Sequence, residues 1–557
     1  MFFERHRATL DAAVAAIDAR GYWSAYPEAP SGKIYGETAN EDAKKAFEAQ
    51  LGQPFVLDQV AGGTVGGERS PYGFDLKIAY PRLDVDTALR NAARARTSLR
   101  KAGVETRVGV CLEILARLNK MSFEIAYAVM HTTGQGFVMA FQAGGPHAQD
   151  RGLEAVATAW QEMTRVPAHA RWEKPQGKNP PLVLDKDYRI VPKGIALAIG
   201  CATFPTWNTY PAIFANLATG NPTLVKPHPA ATLPLAITVR VTRAVLAEAG
   251  LDPDAVQLMA DGIYAPLAQT LAKRPELAII DYTGGSDFGD WLAKNAGHAT
   301  IFAEKAGTNA VIVESTDNAK GMFQNLAFSL SLYSGQMCTT PQNIFVPATG
   351  VKTPEGMLSP AEFGAQLAGA IDRLLGDPAR AAEVLGAIQN QATLGRIEMA
   401  GRQGKIVRAS AAMTHPNFAD ATVRTPLVVA LDESQSAIYG QEMFGPVAYL
   451  ITSADPARAL DVAFGGIAKK GAITAAVYST DPAFLAAAEE RAADVGVALS
   501  ENLTGGVFVN QSAAFSDYHA TGCNPAANAS LTDAGFVAPR FHVAQVRRTA
   551  PAAAVPA

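Results

Sequence analysis

The chain is 557 residues long, 48% hydrophobic and 18% charged, with a net charge of −4 and a pI of about 6.2. That length can bury large cores and suggests roughly two to four domains; the weak acidic balance gives no electrostatic case for a nucleic-acid partner. Apolar runs such as 194–204 are too short to cross a bilayer. The start, Met1 to Arg7, lacks the apolar core of a signal peptide, so a cytoplasmic protein with no membrane partner is expected. The four cysteines, Cys111, Cys201, Cys338 and Cys523, are widely spaced with no CxxC, and the nine histidines are scattered. Neither a disulfide framework nor a metal site is expected.

In chain order, Leu10, Val14 and Ile17 recur at helical spacing, which predicts an amphipathic helix over 4–20. Glycine- and proline-rich stretches follow at 27–36 and 61–73. Gly62-Gly63-Thr64-Val65-Gly66-Gly67 has the composition of a phosphate loop, but Ser70-Pro71 follows it rather than a helix, so it reads as a plain loop. Helices are predicted over 85–101, 105–119, 122–132 and 150–164. Residues 182–191 alternate about Asp185-Lys186-Asp187, which predicts a hairpin turning there. From 195 onward the character changes. Apolar strands at 195–199, 223–225, 256–259 and 277–280 alternate with helices at 212–217, 233–249 and 265–273. This predicts a parallel, doubly wound nucleotide-binding sheet. A second α/β region follows, with helices near 322–332, 360–375, 378–383 and 456–464. Its strands fall at 310–313, 343–346, 427–431, 448–452 and 472–478. A last strand is predicted over 539–546, and the Ala/Pro-rich stretch 549–557 reads as a disordered tail.

Against this layout one cysteine stands out. Cys338, in Gly335-Gln336-Met337-Cys338-Thr339, falls between a helical run and a strand, where a thiolate can face a cleft. Free cysteines are more often buried hydrophobes, but this one has company. Glu304 lies in Glu304-Lys305-Ala306-Gly307-Thr308-Asn309 before an apolar strand, Asn208 in Thr206-Trp207-Asn208-Thr209-Tyr210-Pro211, and Glu442 in Glu442-Met443-Phe444-Gly445-Pro446-Val447. In order and spacing these four segments resemble the aldehyde dehydrogenase superfamily, over about 85–510.

The resemblance implies the chemistry. Cys338 is the nucleophile that turns the aldehyde carbon sp³ so that a hydride can leave. The Asn208 amide and the Cys338 backbone N–H hold the oxyanion. Glu304 is the base that activates water against the thioester. Lys226 holds the adenosine ribose, and Thr283, Gly284, Gly285 and Gly289 place a helix N-terminus at the pyrophosphate. Many relatives carry serine where this chain has Gly285. Glu442 holds the nicotinamide ribose and Phe444 contacts the ring. The implied fold is α/β: a Rossmann-type cofactor domain (1–165, with its N-terminal helical extension, and 194–305), a catalytic domain (306–510) and a β-hairpin bridging arm (166–193 with 525–548). The family usually assembles as dimers or dimers of dimers through such arms.

Two departures refine the expectation. Where many NAD-preferring relatives have a glutamate three residues after the lysine, this chain has Pro229, in Lys226-Pro227-His228-Pro229. The missing carboxylate opens the site to NADP, so NAD and NADP are both expected, NADP slightly favoured; His228 would pair with the 2′-phosphate only when protonated, and at an ordinary pKa near ~6.5 it is mostly neutral at neutral pH. Past Asn510, the unusual stretch Ser512 to Asn528 is expected to shape the substrate pocket. The N-terminal extension and the Lys-Pro-His-Pro motif resemble the PaaN-type aldehyde dehydrogenases of phenylacetate degradation. That implies the semialdehyde left by ring cleavage, free or as a CoA ester. A C-terminal hydratase domain, found in a bifunctional relative, is not expected because the chain stops at Ala557. The rival readings are a CoA-acylating enzyme, which generally lacks the glutamate base, a general semialdehyde dehydrogenase, and a non-catalytic scaffold.

Overall fold

Five short strands rich in branched aliphatic residues form a parallel sheet in the order Val256–Leu258, Thr223–Lys226, Ile195–Ile199, Leu277–Gly284, Thr300–Lys305. Ile195–Ile199, apolar at every position, is the central strand and is buried along its whole length, as a strand covered by helices on both faces must be. The chain runs outward from it first on one side and then on the other. The switch point therefore lies between Ile195–Ile199 and Leu277–Gly284, where open α/β sheets bind ligands. This computed structural model describes residues 2–305 and 307–550. No helix of the described residues is long and apolar enough to cross a membrane.

The edge strand Thr300–Lys305 was not anticipated. It carries Glu304 near its end, so Glu304 closes the first sheet rather than opening the next. From there the chain passes to Ala310–Val313 in a seven-stranded sheet, ordered Lys405–Arg408, Leu427–Asp432, Val447–Ser453, Asn343–Pro347, Ala310–Val313, Thr474–Tyr478, Ala498–Glu501. Six of these strands are parallel; the edge strand Lys405–Arg408 pairs antiparallel.

A third, antiparallel sheet joins Phe541–Thr549, Asn179–Pro192 and His169–Gln176. The predicted turn at Asp185-Lys186-Asp187 is corrected here: those residues lie inside one long strand, and the hairpin turns at Gly177-Lys178. Gly177 has a φ of +61°, which the turn requires and a side chain resists. The charges that looked like a turn are paired across strands, Asp187 with His169 at 2.7 Å and with Arg548, and Asp185 with Arg171 at 3.5 Å. Thr549 also belongs to its strand, and the Ala550 N–H donates to the Val183 carbonyl at 3.0 Å. The rest of the expected tail, 551–557, lies outside the described residues. Residues 525–540, expected in the arm, pack instead beside the first sheet: Ala527 bridges to Glu304, and Asn528 accepts the Ala303 N–H at 2.7 Å.

Arg540 anchors the last strand to the cofactor sheet. Its guanidinium, fully buried, meets Asp281 at 2.6 Å and Asn216 at 2.7 Å, and packs against the rings of Phe302 and Phe536. At the other end of the chain, Phe2–Ala19 packs on Val104–Lys120 and Pro146–Thr164. Its register is fixed by the buried Phe3, Leu10 and Ala13. A helix at Phe137–Gly144, and the early start of Pro205–Thr219, were also not anticipated.

Candidate active site

The loop that carries Cys338 is held in a conformation it would not adopt alone. After Ala319–Ser331, the residues Tyr333, Ser334 and Gly335 all take left-handed backbone angles, with φ of 53°, 48° and 64°. Left-handed non-glycine residues cost about 1–2 kcal/mol each, so other contacts must fix them. The Tyr333 hydroxyl donates to the Thr133 carbonyl, and the Ser334 hydroxyl reaches the Leu385 and Arg424 carbonyls, both at 3.0 Å. Gln336 donates to Ala387 O at 3.1 Å and accepts the Gln389 N–H at 2.9 Å. A Cβ at Gly335 would stand 2.4 Å from Gly445 O, so only glycine allows the close approach to the Glu442 segment.

Beneath the loop, Asn309 uses its whole amide. Its Nδ2 donates to Cys338 O at 2.7 Å and Thr340 O at 3.0 Å, and its Oδ1 accepts from the Ile473 and Thr474 N–H groups. It ties the cysteine loop to the strand Thr474–Tyr478. Nothing in the sequence around Asn309 marks it for this role.

Four side chains converge above this floor. Asn208, in the first turns of Pro205–Thr219, donates from Nδ2 to the Glu304 carboxylate at 3.3 and 3.5 Å. Its Oδ1 lies 3.6 Å from Cys201 Sγ. His519 Nε2 lies 3.1 Å from Glu304 Oε1 and 3.7 Å from Cys338 Sγ. Glu304, Cys338 and His519 present their reactive atoms within 4.8 Å of one another. Burial, and the Glu304 charge beside it, push the Cys338 thiol well above the usual thiol range. For Glu304 burial works upward, but the His519 charge and the hydrogen bonds of His519 and Cys338 outweigh it, and the carboxyl is held below its usual range.

His519 is the residue sequence reasoning missed. It lies in the 512–528 stretch expected to shape the pocket, and nothing local marks a histidine for a partner 181 residues away. The segment is placed by a buried ion pair on Pro146–Thr164. Arg151 and Glu154, each 1% exposed and 2.8 Å apart, hold the Asp517 and Ala513 carbonyls, the Ser512 hydroxyl and the Phe515 N–H. The N-terminal extension adds to this support, with Trp23 packed edge-on to Phe515 and Arg20 donating to Phe515 O.

The expected cofactor residues other than Glu442 and Phe444 fall at or just beyond the carboxyl ends of the first sheet. Lys226 ends Thr223–Lys226, and its Nζ donates to Asp261 Oδ2 at 2.8 Å and to Pro227 O at 2.9 Å. Asp261 is a second residue not anticipated. Its Oδ2 also accepts the Leu267 N–H at 2.7 Å, while its buried Oδ1 has no partner among the described residues. A cavity of about 210 Å³ opens here, lined by Val65, Gly66, Arg82, Pro229, Asp261 and Tyr264 among others. Residues 64–67 of the glycine run thus form a wall of this cavity.

His228 is held further into the neutral form that its ordinary pKa already implies. Burial, with Lys226 beside it, lowers its pKa to about 4, so its ring is neutral at neutral pH and its Nδ1 accepts the Ala230 N–H. It carries no charge to pair with a phosphate.

Thr283 and Gly284 end Leu277–Gly284, and Gly285 caps the helix Ser286–Asn295, in which Gly289 lies. A Cβ at Gly284 would stand 2.4 Å from the Tyr282 hydroxyl, and one at Gly289 2.6 Å from the Lys305 side chain; at Gly285 the space is open. Glu442 and Phe444 share a small cleft with Cys338 and Gly335. Burial raises the Glu442 carboxyl to about 7, against the pull of Arg396.

A doubly wound sheet whose carboxyl-terminal edge faces a loop-borne thiol, a carboxylate and an amide is the layout of a dinucleotide-dependent oxidoreductase that works through a cysteine. The chain belongs to the aldehyde dehydrogenase family, whose sequence profile matches residues 79–522. It is 55% identical to an NAD-dependent aldehyde dehydrogenase from Burkholderia multivorans, over 99% of both chains, with a TM-score of 0.97. Two more distant structures share the fold. One is 1-pyrroline-5-carboxylate dehydrogenase from Thermus thermophilus, 17% identical over 95% of this chain and 99% of that one, with a TM-score of 0.73. The other is NADP-dependent glyceraldehyde-3-phosphate dehydrogenase from Bacillus halodurans, 16% identical over 88% and 100%, with a TM-score of 0.68.

Proposed function

We propose that this aldehyde dehydrogenase oxidises its substrate to the carboxylic acid with Cys338 as nucleophile, Glu304 as the base for hydrolysis and Asn208 as the oxyanion donor. The observation that carries the reading is the meeting of the Cys338 thiol with the Glu304 carboxylate in one buried space, their reactive atoms within 4.8 Å. Sulfur adds to the aldehyde carbon, and the alkoxide that forms needs a fixed donor within hydrogen-bond reach. Asn208 Nδ2 already points into this space. The resulting acyl group on Cys338 is released by water, whose proton Glu304 takes. Glu304 also separates this reading from that of a CoA-acylating enzyme.

The residues present fit a nicotinamide dinucleotide. Lys226 and the unpartnered Asp261 Oδ1 would take ribose hydroxyls beside the 210 Å³ cavity, the 283–289 turn the pyrophosphate, and Glu442 the second ribose. When bound there, the cofactor supplies the hydride acceptor. NAD is the preferred form. The carboxylate missing at Pro229 is supplied from another strand by Asp261, and His228 is neutral, so both grounds for favouring NADP fall away. The NAD dependence of the Burkholderia enzyme is in keeping with this.

The substrate proposed is the semialdehyde left by ring cleavage in phenylacetate breakdown, free or as its CoA ester, in the cytoplasm. Its support is the N-terminal extension, whose Trp23 and Arg20 brace the 512–531 segment over the thiol. We also infer a cofactor unit, a catalytic unit and an arm, with two-fold assembly through the arm, whose residues Trp172, Leu182 and Val543 are exposed in the single chain. A screen of semialdehydes with NAD and NADP, beside Cys338→Ala, tests the reading. The variant should bind cofactor and turn over nothing; appreciable oxidation by it would remove Cys338 from its role. Light scattering reads the assembly.

A further inference from the structure

We propose that His519 is a positioning residue for the hydrolytic half of the reaction, its Nε2–H keeping the Glu304 carboxylate in place once Asn208 turns to the substrate oxygen. The inference rests on the roles proposed above for Cys338, Glu304 and Asn208. Those roles make competing demands on one amide. Asn208 Nδ2 already donates to Glu304, with contacts of 3.3 and 3.5 Å to the two carboxylate oxygens. Both are long, and an alkoxide forming beside the amide is a strong, charged rival for it. The base then depends on its other donor.

His519 is that donor. Its Nε2 lies 3.1 Å from Glu304 Oε1, closer than either contact of the amide. An ionised carboxylate can only accept, so the proton of this bond is on Nε2, and a neutral ring serves as well as a charged one. The bond matters because the pair is buried, Glu304 being 7% and His519 3% exposed. A carboxylate in so little water takes up a proton or turns away unless a donor meets it, and either event removes the base. In hydrolysis a water O–H bond breaks and its proton goes to Glu304 as the oxygen bonds to the acyl carbon. The C–S bond then breaks and its electron pair returns to Cys338 Sγ. His519 keeps its own proton throughout.

The ring is fixed for this task. The His519 N–H and carbonyl exchange hydrogen bonds with Leu531, both 3.0 Å, and Trp207 packs edge-on against the imidazole at 4.7 Å. Trp207 and Asn208 are consecutive in Pro205–Thr219, so one helix turn seats the ring and carries the competing amide. The titratable groups facing Glu304 are Cys338 and His519, with Arg151 beyond Trp207 and Cys201 beyond Asn208. Lys305, next along the strand, is turned to Asp290 at 2.7 Å.

The test follows the acyl-enzyme in the full-length protein. Each variant is mixed with aldehyde and one equivalent of NAD and quenched in acid, and the acylated Cys338 peptide is counted by mass spectrometry across pH. His519→Leu has no donor. It should still release one reduced cofactor per active site, but its acyl-enzyme should decay about tenfold or more slowly at neutral pH, because the base is no longer held. The inflection of that decay should rise by about one pH unit or more as the Glu304 carboxyl loses its donor. His519→Gln restores a donor and should recover most of the rate. Decay in His519→Leu at the wild-type rate and inflection would overturn the proposal. So would a His519→Gln as slow as His519→Leu, which would leave the ring a packing role only. Should His519→Leu not fold, the wild-type profile decides: decay that stays level down to about pH 5.5 supports the proposal, and an inflection above that overturns it. Glu304→Gln separates the two readings. If its acyl-enzyme decays like that of wild type, Glu304 is not the base; if it persists while His519→Leu is unchanged, only the role of His519 falls.

Discussion

On the proposed reading Asp261 sets the cofactor preference, and Asp261→Asn is the change that tests it. The carboxylate is buried, with Lys226 Nζ at 2.8 Å on one oxygen and the other oxygen free. A ribose 2′-hydroxyl can donate to that free oxygen; a 2′-phosphate can only be repelled by it. At an effective dielectric constant of about 20, like unit charges about 6 Å apart repel by about 3 kcal/mol. Lys226 attracts the same phosphate in wild type and variant alike, so its contribution cancels in the comparison and the full repulsion, a factor of about one hundred, is what the substitution removes. The ratio of kcat/KM for NADP to that for NAD should therefore rise about a hundredfold in Asp261→Asn. The change also strips a buried lysine of its counter-charge, a loss of about 3–5 kcal/mol in comparable pairs, so a lower melting temperature should accompany the new ratio. Burial already lowers the Lys226 pKa, and part of that loss is recovered if the amine releases its proton. Steady-state kinetics with both cofactors, at saturating aldehyde, decides the matter. A wild-type preference for NADP, or an unchanged ratio in a folded Asp261→Asn, would refute the reasoning. Pro229→Glu, adding a second carboxylate at the rim, should weaken NADP more than NAD.

Three further outcomes are expected. Glu304→Gln should release one burst of reduced cofactor and then stall as the acylated enzyme; steady turnover near the wild-type rate in stopped-flow traces would assign the hydrolytic base elsewhere. The Glu442 carboxyl, raised to about 7 in the folded protein, is protonated below that pH and ionises above it. Since the ionised form is the better acceptor for ribose hydroxyls, cofactor affinity measured calorimetrically on Cys338→Ala should rise between about pH 6 and about pH 8, and Glu442→Gln should flatten that rise. The same raised pKa means that folding stability falls as pH climbs from about 4.5 to about 7, where the unfolded chain has already ionised; Glu442→Gln should lessen that fall in denaturant titrations. Finally, Arg540→Met leaves Asp281 buried without its partner and should cost about 3–5 kcal/mol in urea unfolding. A loss under about 1 kcal/mol would show that the network does not anchor the last strand.

The parallel sheet, the helices around it and the segments bearing Cys338, Glu304, Asn208 and Glu442 were legible in the sequence because their signals are local. A buried strand is a run of apolar residues, a helix end carries glycine, and a reactive residue keeps its immediate neighbours. The turn at Gly177 was misplaced because the Asp185–Asp187 charges resemble turn chemistry until their partners, His169, Arg171 and Arg548, are brought across the sheet. What only the tertiary structure decided is the electrostatics of the site. Pro229 leaves no carboxylate in the motif, yet Asp261, from the end of another strand, stands beside the same lysine. Burial lowers the His228 pKa further, to about 4, so the histidine beside that lysine adds no charge. His519 reaches Cys338 and Glu304 only because Arg151 and Glu154, on a distant helix, hold the chain that precedes it. Charge and proton affinity depend on distance and burial in space, and residues far apart along the chain set both.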